Sequence, residues 1–410
     1  MNSDLSVYLH IPFCDTKCAY CDFNSYAGIE SLIPAYTRAL CREAELWSPA
    51  VQGRTVQTVF FGGGTPSLLP LAEMGAILQT VRDFYQIGSD VELSLEANPG
   101  TVDEEHLRGL RKLGFNRISI GVQSFDDGEL RALDRIHSGY QAIAAFSAAR
   151  AAGFDNINLD LIYGLAGQSL AGWAMNISRA IELLPEHLSL YALTVEEGTA
   201  LAYQIALGVA PAPDPDLQAD MYELTQERLA KVGYVQYEIS NWALPGHACR
   251  HNLTYWRNGQ WLGLGAGAHS CLGALRFSDA LSPNGYIHRV ARASGFTTPL
   301  SDDLQDIGLE GSMPQIVWQE RIEEAMAISD SAILGLRLCE GLSLTEFRKR
   351  FGRDLFAIYG EKLRECSQAG LLELDGDCLR LTNRGLLLSN EGFTRLLPPE
   401  QVATALPIRA

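Results

Sequence analysis

The sequence has no apolar run approaching about 18 residues, so no transmembrane helix is expected. It is poor in positive charge. Lys and Arg number 32 against 49 Asp and Glu, for a net charge of −17. That deficit argues against a general nucleic-acid binder, because an unshielded phosphate backbone would be repelled. It argues more weakly against tight binding to an anionic membrane. The opening residues, MNSDLSVYLHIPF, lack the basic start and long apolar core of a secretory signal. Nine cysteines, an odd count, with no export signal point to a reducing, cytoplasmic setting with thiols free or metal-bound. Short repeats and low-complexity tracts are also missing.

What is present is a βα rhythm. Short β-rich runs fall at Leu5–Ile11, Thr55–Phe61, Asp90–Ala97, Asn116–Val122, Asn156–Tyr163 and His187–Val195. Amphipathic stretches of helix length separate them, one from Leu32 and another ending at Gly114, a residue that commonly stops a helix. Six such units in succession predict an α/β fold with a parallel sheet, open or curled into a partial barrel, over residues 1–210. Pro211, Pro213 and Pro215 exclude helix there and read as a linker. An added α+β segment fills 211–320, with a helix from Leu217, a glycine- and aromatic-rich stretch, and a long loop near 295–320. Residues 321–410 form a third unit. Two helical stretches and a hairpin signal at Asp375-Gly376 give it a winged-helix-like shape.

In such barrels chemistry gathers where the strands end. The first run ends in Cys14, Cys18 and Cys21, and the second in GGGTP (62–66). The third carries Glu96, the fourth exits at Gln123 and the fifth holds Asp160. All five place polar or glycine chemistry on one rim. Successive glycines leave backbone groups open to a ligand. Taken singly, Glu96 and Asp160 read equally well as surface acids. Together on the rim they read as partners for ribose hydroxyls, with Gln123 and Arg135 adding polar contacts, Arg135 to a carboxylate.

The three clustered thiols admit three readings. Unpaired cysteines are often simply buried, but these share a short polar loop. Structural zinc wants four ligands in paired clusters, and the next cysteine, Cys41, lies in a predicted helix. An iron–sulfur cube takes thiolates naturally, and three of them leave one iron open to chelate a small molecule. The third reading is preferred.

The C-x3-C-x2-C spacing, with YLHIPFCDTKCAYCDF, FFGGGTPS, EANPGT, ISIGVQSF, LDRIHS, NLDLIYGLAGQ and YALTVEEGT, resembles the radical S-adenosylmethionine (SAM) superfamily. Within it the chain resembles the oxygen-independent coproporphyrinogen III dehydrogenase family. The dehydrogenases carry a further cysteine two positions after the third, where this chain has Phe23. The sister branch of HemW-type heme chaperones lacks it and carries H-N-x-x-Y-W, matched here by His251, Asn252, Tyr255 and Trp256. Alone, that segment reads better as a loop with a satisfied histidine and core aromatics. The resemblance implies a partial (β/α)6 radical SAM barrel and a [4Fe-4S] cluster on Cys14, Cys18 and Cys21. It implies SAM contacts at Tyr8, Gly63, Gly64, Thr65, Glu96, Gln123, Arg135 and Asp160. It further implies heme as cargo, with His251 as candidate ligand in a segment folded over the open rim. The expected partner is a heme-acceptor protein, membrane-associated or not, and a dimer is a further expectation. The alternative function is the dehydrogenase itself. A transcription factor is suggested only by the tail, where FRKRFGR (347–353) is locally basic.

Overall fold

The computed structural model describes residues 4–300 and 309–398. Six parallel strands form its centre: β1 (Asp4–Ile11), β2 (Thr55–Gly63), β3 (Gln86–Ala97), β4 (Arg117–Gln123), β5 (Ile157–Tyr163) and β6 (His187–Ala192). Further strands extend them at both edges: β7 (Val235–Glu238), β8 (Asn241–Ala243), β9 (Trp261–Leu264), β10 (His269–Leu272), β11 (Leu275–Asp279) and β12 (Ile316–Arg321). The order is β12-β11-β10-β9-β1-β2-β3-β4-β5-β6-β8-β7. β6 pairs with β8 and β1 with β9, so β1 and β6 never meet and the barrel stays open. The expected partial barrel is what forms.

Alternation decides what each face holds. On β1, Leu5, Val7, Leu9 and Ile11 are buried in the core that also contains Ile33 and Leu40 of the following helix, Ile33–Trp47. The intervening Ser6, Tyr8 and His10 line the interior, as do Thr58 and Phe60 on β2 and Glu92, Ser94 and Glu96 on β3. A barrel interior closed by branched apolar residues would be a packed core. This one is polar and aromatic, and suits a site.

Two expectations need correction. Pro215 does not exclude helix: it opens the helix Pro215–Lys231, capped by Asp214, whose carboxylate accepts from the N–H of Asp216 at 3.0 Å. Proline is tolerated at a first helical position, where its missing N–H has no intrahelical partner anyway. The long loop near 295–320 is loop only in part. Ile316–Arg321 pairs antiparallel with Leu275–Asp279 and becomes the sheet edge. Within that loop, 301–308 lie outside the described residues.

The C-terminal unit packs the helix Glu324–Arg337 with the helices Leu344–Phe351 and Leu355–Gln368 and a three-stranded sheet. Its hairpin turns at Gly376-Asp377, where Gly376 has φ +60°. This helix–helix–hairpin order is the winged-helix arrangement expected from the sequence.

Candidate functional site: a cysteine loop on the barrel rim

The cysteines follow β1 directly. Phe13–Cys14 pairs in parallel with Tyr26–Ala27, which pins both ends of the loop. His10 holds it from below: Nε2 lies 2.8 Å from the Asn24 carbonyl, and Nδ1 3.0 Å from the Tyr8 hydroxyl. Lys17 donates to the Phe23 carbonyl at 3.1 Å, and the Asn24 amide donates to the Ala266 carbonyl at 2.9 Å.

All three thiols are free and half-buried. Cys14 Sγ lies 3.6 Å from Thr65 Oγ1, Cys21 Sγ 3.9 Å from Ser25 Oγ, and Arg135 Nη1 donates to Cys18 Sγ at 3.5 Å. Burial pushes the Cys14 and Cys21 thiols up, against the hydrogen bonds that reach them. Metal bonding reverses this, because a coordinated thiol is deprotonated. Among the described residues no three His, Cys, Asp or Glu side chains converge as for a single ion. A cube differs, since each thiolate serves its own iron.

The glycine turn is shaped by neighbours. Gly63 has φ +113°, and a Cβ there would strike the His10 ring at 2.4 Å. A Cβ on Gly64 would lie 2.6 Å from the Phe13 carbonyl oxygen. Both positions therefore need glycine, and the turn closes against the cysteine loop through Gly64 N–H to Ile11 O at 2.8 Å and Thr65 N–H to Phe13 O at 2.7 Å.

Glu96 accepts from the Gly63 N–H at 3.0 Å. Burial, then the charge of Asp160, raises its carboxyl to about 7, opposed by the Gly63 hydrogen bond and Arg117. Asp160 accepts from Ser119 and Asn158, each at 2.8 Å, and burial raises it too. Gln123 ends β4 with φ 63°, a left-handed backbone rare outside glycine and typical of strained functional positions. Arg135 Nη2 donates to Asn98 Oδ1 at 2.6 Å and to the Gly121 carbonyl at 2.9 Å, while its buried Nε has no partner. Asn98, which also donates to Thr65 at 2.9 Å, was not singled out from the sequence although it lies inside EANP. Asp15, Cys18, Thr65, Asn98 and Arg135 line one cleft on this rim.

His251 sits elsewhere. The helix Arg250–Trp256 does not fold over the rim but plugs the opposite end of the interior. Ser6 meets Thr254 at 2.8 Å and Thr58 meets His251 Nδ1 at 2.7 Å, both toward the strand starts. His251 is 1% exposed. Its Nε2 lies 2.8 Å from the Tyr255 hydroxyl, so both ring nitrogens are engaged. Its ring stacks on Phe60, centroids 5.0 Å apart. Burial, then Arg117, lowers its pKa to about 3, so it is neutral. Glu92 explains the placement: its carboxylate accepts from the N–H groups of Arg250 at 3.0 Å and His251 at 3.1 Å, as an anion should at a helix N-terminus. Trp256 lies under the Arg337 guanidinium, 4.3 Å from its ring centroid, and so carries the C-terminal unit.

A half-barrel of parallel strands with a three-cysteine loop and a glycine turn on its C-terminal rim defines a radical SAM protein. Residues 8–176 match the radical SAM superfamily model and 320–388 the HemN C-terminal domain model. A Mycobacterium tuberculosis protein named heme chaperone HemW is 39% identical over 394 residues, covering 95% of this chain and 94% of that one. The Bacillus subtilis protein of the same name is 35% identical over 393 residues, covering 96% and 99%. The chain therefore belongs to the HemW family. Among solved structures, the Escherichia coli radical SAM enzyme coproporphyrinogen III oxidase (HemN) superposes with TM-score 0.80 over 96% of this chain and 89% of that one. At 24% identity this likeness concerns the fold. Superfamily membership implies a [4Fe-4S] cluster and SAM. The site fits both: three rim thiols, a glycine turn without side-chain obstruction, and the unpartnered, buried Nε of Arg135.

Proposed function

We propose that the protein is a heme chaperone, which holds a [4Fe-4S] cluster and SAM on its rim, binds heme as cargo and delivers it to an acceptor protein. The observation that carries this reading is full-length similarity to proteins named heme chaperone HemW. Position 23 agrees. Where the dehydrogenase branch has a further cysteine, this chain carries a phenylalanine, 64% exposed beside the cluster loop. Cys14, Cys18 and Cys21 hold the cluster. Tyr8, Gly63, Gly64, Thr65, Glu96, Gln123, Arg135 and Asp160 surround SAM, with Glu96 and Asp160 taking ribose hydroxyls. Bound SAM supplies an organic radical precursor next to an electron source. The protein's own residues orient it and limit access to it.

His251 ligates heme through Nε2 only after giving up Tyr255, and can keep Thr58 on Nδ1. Among the described residues no helix is long and apolar enough to cross a membrane, and a cytoplasmic protein acting on a membrane-associated acceptor, alone or as a dimer, completes the reading. The second reading is coproporphyrinogen III dehydrogenase, favoured by the HemN-like fold. One experiment separates the two. Reduced, reconstituted protein is incubated anaerobically with SAM and coproporphyrinogen, and in parallel with heme. Heme retention and transfer without decarboxylated product is expected. Turnover of coproporphyrinogen overturns the chaperone reading.

A further inference from the structure

Three carboxylates of the barrel interior, Glu92, Glu96 and Asp160, lie around a buried cation, Arg117. Arg117 opens β4, opposite Ser94 of β3. Alternation turns Ile118, Ile120 and Val122 toward the helices and Arg117, Ser119 and Gly121 inward. Arg117 is 2% exposed. Its buried Nε has no hydrogen-bond partner. A buried charge in that position calls for an explanation.

Its neighbours supply one. Glu92, Cys249, Tyr237 and Asp160 all lie within its electrostatic reach, and Glu96 feels its charge as well. None of these carboxylates is spent on it directly. Glu92 holds the start of the 250–256 helix, Glu96 the glycine turn, and Asp160 Ser119 and Asn158. The guanidinium sits among them as a shared counter-ion, between the layer that meets SAM and the layer that carries His251.

We propose that Arg117 is a positioning residue of the SAM site, a counter-ion shared by Glu92, Glu96 and Asp160 that keeps the latter two as acceptors for the nucleoside hydroxyls. The proposal rests on the reading that Glu96 and Asp160 contact SAM. The groups facing them are otherwise neutral: the phenols of Tyr8 and Tyr255, held protonated by burial, and the hydroxyl and amide of Ser119 and Asn158. Arg117 is the opposing charge that both carboxyls feel, and it acts against the burial that raises them. Without it Glu96 takes up a proton at neutral pH and is a poorer acceptor.

The test is SAM affinity by calorimetry on reconstituted protein from about pH 6 to about pH 9, for wild type, R117Q, R117K and E96Q. Wild type is expected to lose affinity as pH falls below about 7. R117Q should move that midpoint up by about one unit, which is about fivefold weaker binding at about pH 7 that recovers in alkali. R117K should return the midpoint toward wild type, and iron–sulfur absorbance should be equal in all four. An unmoved midpoint in R117Q overturns the proposal. So does a loss that is uniform in pH and not restored by lysine, which would make Arg117 a residue of the fold alone. Wild-type affinity and pH profile in E96Q would instead refute the assignment of Glu96 to SAM.

Discussion

The rim and the floor of this half-barrel are built by the same strands and differ in how open their polar groups are to a ligand. At the floor, Glu92, Thr58, Ser6, His251 and Tyr255 form a closed set in which each donor has its acceptor. At the rim, three thiols are half-open, Arg135 has an unpartnered nitrogen, and Gln123 takes an unfavourable backbone. Unpartnered atoms occur deeper in the interior too, at Ser94 Oγ, Arg117 Nε and Trp256 Nε1. What sets the rim apart is its half-open thiols and unobstructed glycine turn, whereas the His251 network marks a region made for shape. The contrast agrees with a cofactor at the cysteine end. It also puts the H-N-x-x-Y-W segment among the supports of the barrel rather than its open chemistry.

The largest effect that tests this contrast is at the cysteines. Replacing Cys14, Cys18 or Cys21 by Ala should abolish the iron–sulfur absorbance, because two thiolates do not retain a cube that three hold with one iron open. Cys41→Ala and Cys366→Ala should leave it intact: Cys41 packs against the main core and Cys366 is buried in it. Iron and sulfide analysis of each reconstituted variant decides. Loss in Cys41→Ala equal to that in Cys14→Ala would mean that the rim thiols are not the ligand set.

Next in size are the two inward carboxylates. Glu96→Ala and Asp160→Ala should weaken SAM binding by roughly ten- to a hundredfold, the worth of about 1.5–3 kcal/mol for a hydrogen bond to a charged group, while sparing the cluster. Calorimetry gives the affinities. Unchanged binding in both variants would break the link between the open rim and the cofactor. The sign of the pH dependence is a separate check on Glu96. Its carboxyl is raised from 4.5 to about 7 in the fold, so the native state holds the proton more tightly. The stability this contributes to SAM-free protein is complete below about pH 4.5 and is lost as pH rises through about 7. Glu96→Gln should flatten that part of a denaturation-against-pH curve.

These groups were legible in the sequence to different degrees, for physical reasons. The strands could be read because each combines β-rich composition with a run length of five or more, and the rim because chemistry at a strand end interrupts an apolar pattern. The cysteine spacing was local and needed no tertiary knowledge. Asn98 was passed over because it acts through partners distant in sequence, Thr65 and Arg135. Arg117 lies inside the run Asn116–Val122 and drew no reading of its own, and only strand pairing puts it among Glu92, Glu96 and Asp160. The strand Ile316–Arg321 was missed because its register is set by Leu275–Asp279, across a stretch that reads as turn and loop. The 250–256 segment was misplaced for the same reason: sequence shows that it follows the barrel but not which end it closes.

That segment gives the smallest expected effect and the sharpest use of the contrast. In the structure, His251 is neutral, buried and doubly hydrogen-bonded. His251→Ala leaves the Thr58 and Tyr255 hydroxyls without their buried partner, which should cost about 1–3 kcal/mol in denaturant unfolding. A ring nitrogen whose folded pKa is held near 3 also stabilises the native state only above its ordinary 6.5. That contribution fades as pH falls through the window between those values, and the variant should lose this share of the acid sensitivity. Heme adds the second reading. To meet an iron, the imidazole must release Tyr255 from Nε2, so Tyr255→Phe, which removes that hydroxyl, should bind heme at least as well as wild type. His251→Ala should retain less heme and shift its Soret band, and the loss should be partial because His247 is a half-buried imidazole nearby. Spectra and heme stoichiometry of wild type and both variants, taken from the same preparation, separate the roles. An unshifted band with unchanged stoichiometry in His251→Ala, alongside its reduced stability, would confine the histidine to the floor of the barrel and send the search for the heme ligand back to the open rim.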